Sequence, residues 1–245
     1  MLTKALIFAA GLGTRLQPLT LTTPKALVTV AGKTLLEHQL LKLKQAGFTH
    51  VVINIHHLAQ QIVDFVRQNN HFGLTIHFSD ETQQLLDTGG GLVHAAPWLQ
   101  GNHPFLVCNA DILSDINLNQ FYQFHRLQPD CPLATLAVQQ RASARQLLFN
   151  QQLRLCGWQN INTGKVKLAQ PCPQPMPFAF SGFHIIEPAI FALAPTSGAF
   201  SIIDLYLQLA AAQPIAAFVH QPRRWFDVGT PQALQTANKV WAQEG

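Results

Sequence analysis

The run Ala5-Leu6-Ile7-Phe8-Ala9 constrains this chain more than any other feature. It is apolar without a break and is ended by Gly11-Leu12-Gly13. A short continuous apolar run bounded by turn residues reads as a strand buried on both faces, the kind found in parallel sheets. The next hundred residues keep the matching rhythm. Thr34 to Ala46 predicts a helix, opened by the capping pair Thr34 and Glu37 and stopped by Gly47. Val51 to Ile55 predicts a strand, Leu58 to Gln68 a helix and Leu74 to Phe78 a third strand. A helix is expected after Gly89-Gly90-Gly91, then a continuous strand over Phe105 to Cys108. Strands alternating with helices over short links build parallel βαβ units.

The second half is patterned differently. Leu133 to Val138, Phe178 to Ile186 and Ile215 to Val219 read as strands, and Gln146 to Trp158 as a hairpin. Pro171 to Pro177 is an irregular proline-rich loop, Ser201 opens a helix, and Thr230-Pro231 begins the last one. Asp115 is expected to cap a helix over Asn117 to Leu127. The fold class is α/β: a Rossmann-like, mainly parallel mixed sheet flanked by helices, with a smaller irregular C-terminal lobe, all within one domain spanning 1–245.

Charge narrows the function classes. Asp, Glu, Lys and Arg make up 11% of the chain, and the net charge is +4. The longest basic run is Arg223-Arg224, so a nucleic-acid binder is not expected, whereas a small anionic substrate suits the balance. No apolar stretch approaches the roughly 18 residues of a membrane span. The four cysteines form no C-x-x-C pair and are expected to be reduced thiols in a cytoplasmic protein. The histidines, including His56-His57, show no metal-ligand spacing. Asp80 and Glu81 read as solvated surface.

The loop after the first strand carries the chemistry. Gly11-Leu12-Gly13-Thr14-Arg15 sits at a strand's carboxyl end, where open α/β sheets bind ligands. It is not a P-loop, because no Gly-Lys-[Ser/Thr] follows. It is not a dinucleotide fingerprint, because Leu16 stands at the sixth position. A tight turn accounts for the glycines but not for Thr14, Arg15, Pro18 and Lys25 together. Gly11-x-Gly13-Thr14-Arg15-x-x-Pro18-x-Thr20 with Thr23-Pro24-Lys25 resembles the signature of the sugar-phosphate nucleotidyltransferases. The resemblance runs along nearly the whole chain. It is closest to the short branch that includes N-acetylmuramate 1-phosphate uridylyltransferases and mannose-1-phosphate guanylyltransferase-like proteins.

That resemblance implies a reaction and a site. A nucleoside triphosphate and a sugar 1-phosphate would give a nucleotide-sugar and pyrophosphate, with residues 1–130 holding the nucleotide and 131–245 the sugar. Ala10, Gly11, Leu12, Gly13, Thr14, Arg15 and Lys25 would surround the triphosphate. Gly89 and Gly90, after the acidic Asp87, would approach the base, and Asn109 would touch the nucleotide. Asp111 and Asp227, each at a predicted strand or loop end, match the family's metal-binding aspartates and imply Mg²⁺. Arg15, Lys25 and Asp111 are the catalytic candidates. Ala110 stands where the family usually has Gly before the first aspartate. Ser181-Gly182 would lie beside the sugar. The Glu-Lys-Pro segment whose lysine binds the sugar phosphate in longer members is missing; Arg141, Arg145 and Arg224 are the candidate replacements. Uracil is the preferred base and guanine the alternative, a non-catalytic nucleotide-sugar sensor is the rival reading, and a monomer or homodimer is expected.

Overall fold

A computed structural model describes residues 3–242. The elements run β1 (Lys4–Phe8), β2 (Thr29–Val30), β3 (Lys33–Thr34), α1 (Leu35–Gln45), β4 (His50–Ile55), α2 (Ala59–Gln68), β5 (Thr75–Asp80), α3 (Asp87–His94), α4 (Ala96–Leu99), β6 (Phe105–Asn109) and β7 (Ile112–Ser114). They continue as α5 (Leu118–Arg126), β8 (Ala134–Gln139), β9 (Arg145–Phe149), β10 (Leu155–Asn160), β11 (Lys165–Leu168), β12 (Met176–Ile186), α6 (Ile202–Leu209), β13 (Ile215–Val219), β14 (Trp225–Asp227) and α7 (Pro231–Trp241).

The main sheet has the order β11-β10-β9-β12-β6-β1-β4-β5, with β8 paired to β12 and β13 paired to β8. β6, β1, β4 and β5 are mutually parallel, and β12 enters antiparallel beside β6. The strands of the C-terminal half therefore extend the same sheet. β1 shows why its sequence had to be apolar throughout. Ala5 and Ile7 point into the core under α1 and α2, whereas Leu6 points into the core under α3, α4 and α6. Side chains alternate across a strand, so burial on both faces demands an unbroken run.

The local chemistry holds at most ends. Thr34 caps α1 by accepting from the Glu37 N–H at 3.0 Å, and Thr230 caps α7 ahead of Pro231. Two expectations change. Asn117, not Asp115, caps α5, accepting from the Gln120 N–H at 3.0 Å; it sits directly before the first helical residue, as a cap must. Gly89, Gly90 and Gly91 lie inside α3 rather than before it. A Cβ on Gly89 would overlap the Phe200 ring, one on Gly90 the Gly198 carbonyl, and one on Gly91 would stand 2.7 Å from Glu81 Oε1. The three glycines let this helix touch its neighbours.

The expectation of four free thiols is also corrected. Cys156 on β10 and Cys172 in the proline-rich loop form a disulfide with Cα atoms 6.0 Å apart, a pairing set by the return of that loop across the sheet edge. Cys108 and Cys131 are free. Among the described residues, no helix is long and apolar enough to cross a membrane.

Candidate active site

The carboxyl ends of β1, β4 and β6 meet at a cavity of about 470 Å³. The loop leaving β1 is pinned from below by Asn54, the one polar residue in the apolar run of β4. Its Oδ1 accepts from the Ala9 N–H at 2.6 Å and the Ala10 N–H at 3.2 Å. Its Nδ2 donates to Glu81 Oε1 at 2.8 Å. Glu81 Oε2 in turn accepts from the Leu86 N–H at 3.2 Å, just ahead of α3. Glu81 is thus not solvated surface: it is 2% exposed and ties the glycine loop to α3. Further along the loop, Gly13 has φ +66°, and its carbonyl accepts from Thr20 Oγ1 at 2.8 Å. A side chain here would be strained and would meet Thr20 Cγ2 at 2.9 Å, which is why this position is glycine.

Charges of both signs converge beyond the loop. Lys25 Nζ is ion-paired with Asp111 Oδ2, and Arg15 Nη2 lies 4.0 Å from Asp227 Oδ2. Asp111 and Asp227 are 116 positions apart in the chain but adjacent in space, because β7 pairs with β14 and sets Asp227 opposite Ile112. The Val228 N–H donates to the Asp111 carbonyl at 2.9 Å and locks this ribbon. Burial, and then the negative charge of Asp111, push the Asp227 carboxyl above the ordinary aspartate range; Lys25, Arg15 and Arg141 pull the other way. Asp227 Oδ1 is buried and has no hydrogen-bond partner. Two neighbouring carboxylates, one with an unsatisfied oxygen, form a donor set that fits a hard divalent cation using substrate oxygens and water for its remaining ligands. Among the described residues no group of three or more His, Cys, Asp or Glu side chains forms a cage.

The structure gathers many of the sequence candidates and leaves others apart. Ala10, Gly11, Gly13, Thr14, Arg15, Lys25, Asn109 and Asp111 line the cavity, as does Ala110. Leu12 is 43% exposed and does not line it. Gly89 and Gly90 are buried against the 198–200 loop; the neighbouring Asp87 and Thr88 face the cavity instead. Asp227 reaches the site through Arg15, and Gly229 lets them close up: a Cβ there would be 2.5 Å from Arg15 Nη2. Ser181 and Gly182 sit on a bulged stretch of β12 beyond β6. Gly182 has φ +84°, and a Cβ on it would meet Ile112 Cγ1 at 2.7 Å and Asn109 Nδ2 at 3.4 Å. Ser181 Oγ accepts from Gln139 Nε2 at 3.1 Å and lies 2.9 Å from His220 Nε2. Asn54 and Glu81 were missed from sequence; a lone Asn inside Val51-Val52-Ile53-Asn54-Ile55 was the available signal.

A strand-end glycine loop, a cationic pair and two facing carboxylates now have a family to be compared with. The nucleotidyl transferase family profile matches residues 4–147. The chain belongs to the nucleotidyl transferase family. It is 33% identical over 248 aligned residues to N-acetylmuramate alpha-1-phosphate uridylyltransferase of Caulobacter vibrioides, covering 98% of this chain and 97% of that one. It is 39% identical to a probable mannose-1-phosphate guanylyltransferase of Oryza sativa subsp. japonica, covering 97% of this chain and 64% of the relative. In a further relative, from Neisseria meningitidis, the match spans about half of the protein's length. Among solved structures, a putative glucose-1-phosphate thymidylyltransferase from Bacillus anthracis superposes with a TM-score of 0.79 at 21% identity, covering 99% of this chain and 96% of that one. That last likeness concerns the fold.

Proposed function

We propose that this family member is a sugar-1-phosphate uridylyltransferase that joins UTP to N-acetylmuramic acid 1-phosphate or a close analogue and releases pyrophosphate, with Mg²⁺ as cofactor. The observation that carries the reading is the end-to-end similarity to the Caulobacter uridylyltransferase. The rice relative favours a second reading, guanylyl transfer to mannose 1-phosphate.

The site's chemistry suits such a transfer. The sugar phosphate is already ionised and needs no general base; an oxygen of it attacks the α-phosphorus in line while pyrophosphate leaves opposite. Positioning and charge neutralisation then supply the rate. The backbone N–H groups of the Gly11–Gly13 loop and the Arg15 guanidinium take up charge on the departing pyrophosphate, with Lys25 beside them. Asp111 and Asp227 would hold Mg²⁺, which when bound spreads the charge of both phosphates as a Lewis acid. Asp87 and Thr88 stand at the part of the cavity where the base would lie.

The test is pyrophosphate release with Mg²⁺, pairing UTP, GTP, CTP, ATP and dTTP with N-acetylmuramic acid, mannose and glucose 1-phosphates. Turnover led by UTP with the muramic sugar is expected. GTP with mannose 1-phosphate leading would move the chain to the second reading. Silence across the panel would overturn the proposal. Asp111→Asn should lower turnover at least ~10²-fold, the scale of losing one electrostatic stabiliser.

A further inference from the structure

Arg141 has an environment that the nucleotide half of the site does not explain. It follows β8 and, unlike Arg15 and Lys25, does not line the cavity. Its guanidinium carbon stands 3.9 Å from the centre of the Trp225 ring, two residues before Asp227. One Nη donates to the Phe180 carbonyl at 3.0 Å and the other to the Ala142 carbonyl at 3.3 Å, while Nε is buried without a partner. Burial lowers its pKa, and the Asp227 charge opposes that. Among the described residues no carboxylate lies within 4.0 Å of it. A half-buried cation normally finds an anionic partner, because taking charge out of water without one is costly. Here the carboxylate acting on it, Asp227, has an unsatisfied oxygen of its own.

The two deficits are complementary. A phosphate lying between Arg141 and a cation on Asp227 would satisfy both. Arg15 and Lys25 line the cavity proposed for the triphosphate and serve its charge there. The remaining phosphate in the proposed reaction is that of the sugar. We infer that Arg141, stacked on Trp225, holds the phosphate group of the sugar 1-phosphate and delivers it beside Asp227. The inference rests on that reading of the reaction. Arg145 is exposed on β9, and Arg224 stacks 4.6 Å over Trp241 against α7, so neither shares this position. The support beneath Arg141 is hydrogen-bonded throughout. Trp225 Nε1 donates to the Ser181 carbonyl at 3.0 Å, and Ser181 Oγ is held by Gln139 and His220. A planar guanidinium fixed on an aromatic face suits phosphate recognition better than a mobile ammonium.

The experiment has two arms. In the first, KM for N-acetylmuramic acid 1-phosphate and for UTP is measured in wild type, Arg141→Gln, Arg141→Lys and the control Arg145→Gln. Arg141→Gln should raise KM for the sugar phosphate ~10- to 100-fold, the scale of one charge-assisted hydrogen bond, and leave KM for UTP within about 2-fold. Lysine should restore part of the loss, and the Arg145 control should match wild type. In the second arm, tryptophan emission is titrated with the same sugar phosphate, with Trp225→Phe to identify the reporting ring. Arg141-dependent binding in a wild type that turns over no nucleotide would retire the proposed reaction but keep the phosphate site. An Arg141→Gln variant with unchanged sugar-phosphate KM and binding, or with both KM values raised alike, would overturn the inference.

Discussion

Asn54→Ala should be among the most damaging single truncations near the site, though the side chain touches no reacting group. It removes three hydrogen bonds at once: from the N–H groups of Ala9 and Ala10, and to Glu81. Those three residues are 8%, 4% and 2% exposed, so little water can take over. Each lost bond costs about 1 kcal/mol net, and a buried carboxylate deprived of a donor adds roughly 1–3 kcal/mol. The expected loss of stability is about 4–6 kcal/mol, read as a fall in the urea midpoint at pH 7 with unchanged slope. Asn54→Asp adds a signature. It replaces the donor facing Glu81 by a second carboxylate, so the contact is restored only by a shared proton. The folded variant would then bind that proton to higher pH than the unfolded chain does, and its deficit should grow as pH rises from about 4 to 7. A stability loss below about 1 kcal/mol for Asn54→Ala would refute the view that this side chain anchors the glycine loop to α3.

Other outcomes derive from the same geometry. Asp227→Asn should raise the melting temperature of metal-free protein while abolishing turnover: the raised carboxyl contributes stability only in its protonated form, a contribution lost as pH rises through its folded value. A melting temperature unchanged in this variant would count against the crowding of the two carboxylates. Burial lowers His220 to about 4 and His184 to about 3, so both stay neutral when folded. Their contribution is complete above the unfolded value near pH 6.5 and drains away below it. His220→Gln should flatten the fall in urea midpoint between pH 6.5 and 4; an unaltered slope would dismiss the assignment. Thiol titration of the unfolded chain should find two reactive cysteines before reduction and four after. Reduction should cost about 3 kcal/mol, the entropic scale for a loop of this span. Four thiols without reductant would remove the Cys156–Cys172 bridge.

How much of the fold and site is legible in the sequence depends on how local the cause is. The apolar continuity of β1 and β6, the Thr34 cap of α1 and the Pro231 start of α7 are set by neighbours within a few residues, and a sequence displays them directly. The Gly11–Lys25 signature is legible for the same reason: its turn, its positive φ at Gly13 and its cations all sit on one short segment. Chain order does not show partners. Glu81 looks like surface because its donors, Asn54 and the Leu86 N–H, belong to a strand 27 positions away and to the turn before α3. Gly89 to Gly91 look like a loop because the atoms they make room for, on Phe200, Gly198 and Glu81, are not their neighbours in the chain.

The class of sheet and the place of the glycine loop at a strand end are written in the order of residues alone. Those come from periodicity and from the chemistry of single segments. Which carboxylates come together, and which carbonyl meets Arg141, depends on how the strands pair. The β7–β14 pairing brings Asp227 to Asp111, and the β8–β12 pairing brings the Phe180 carbonyl to Arg141. A charge's energy depends on distance and burial rather than on position along the chain. The ion pairs among residues 15, 25, 111 and 227 have no energy to read until the strands bring them together.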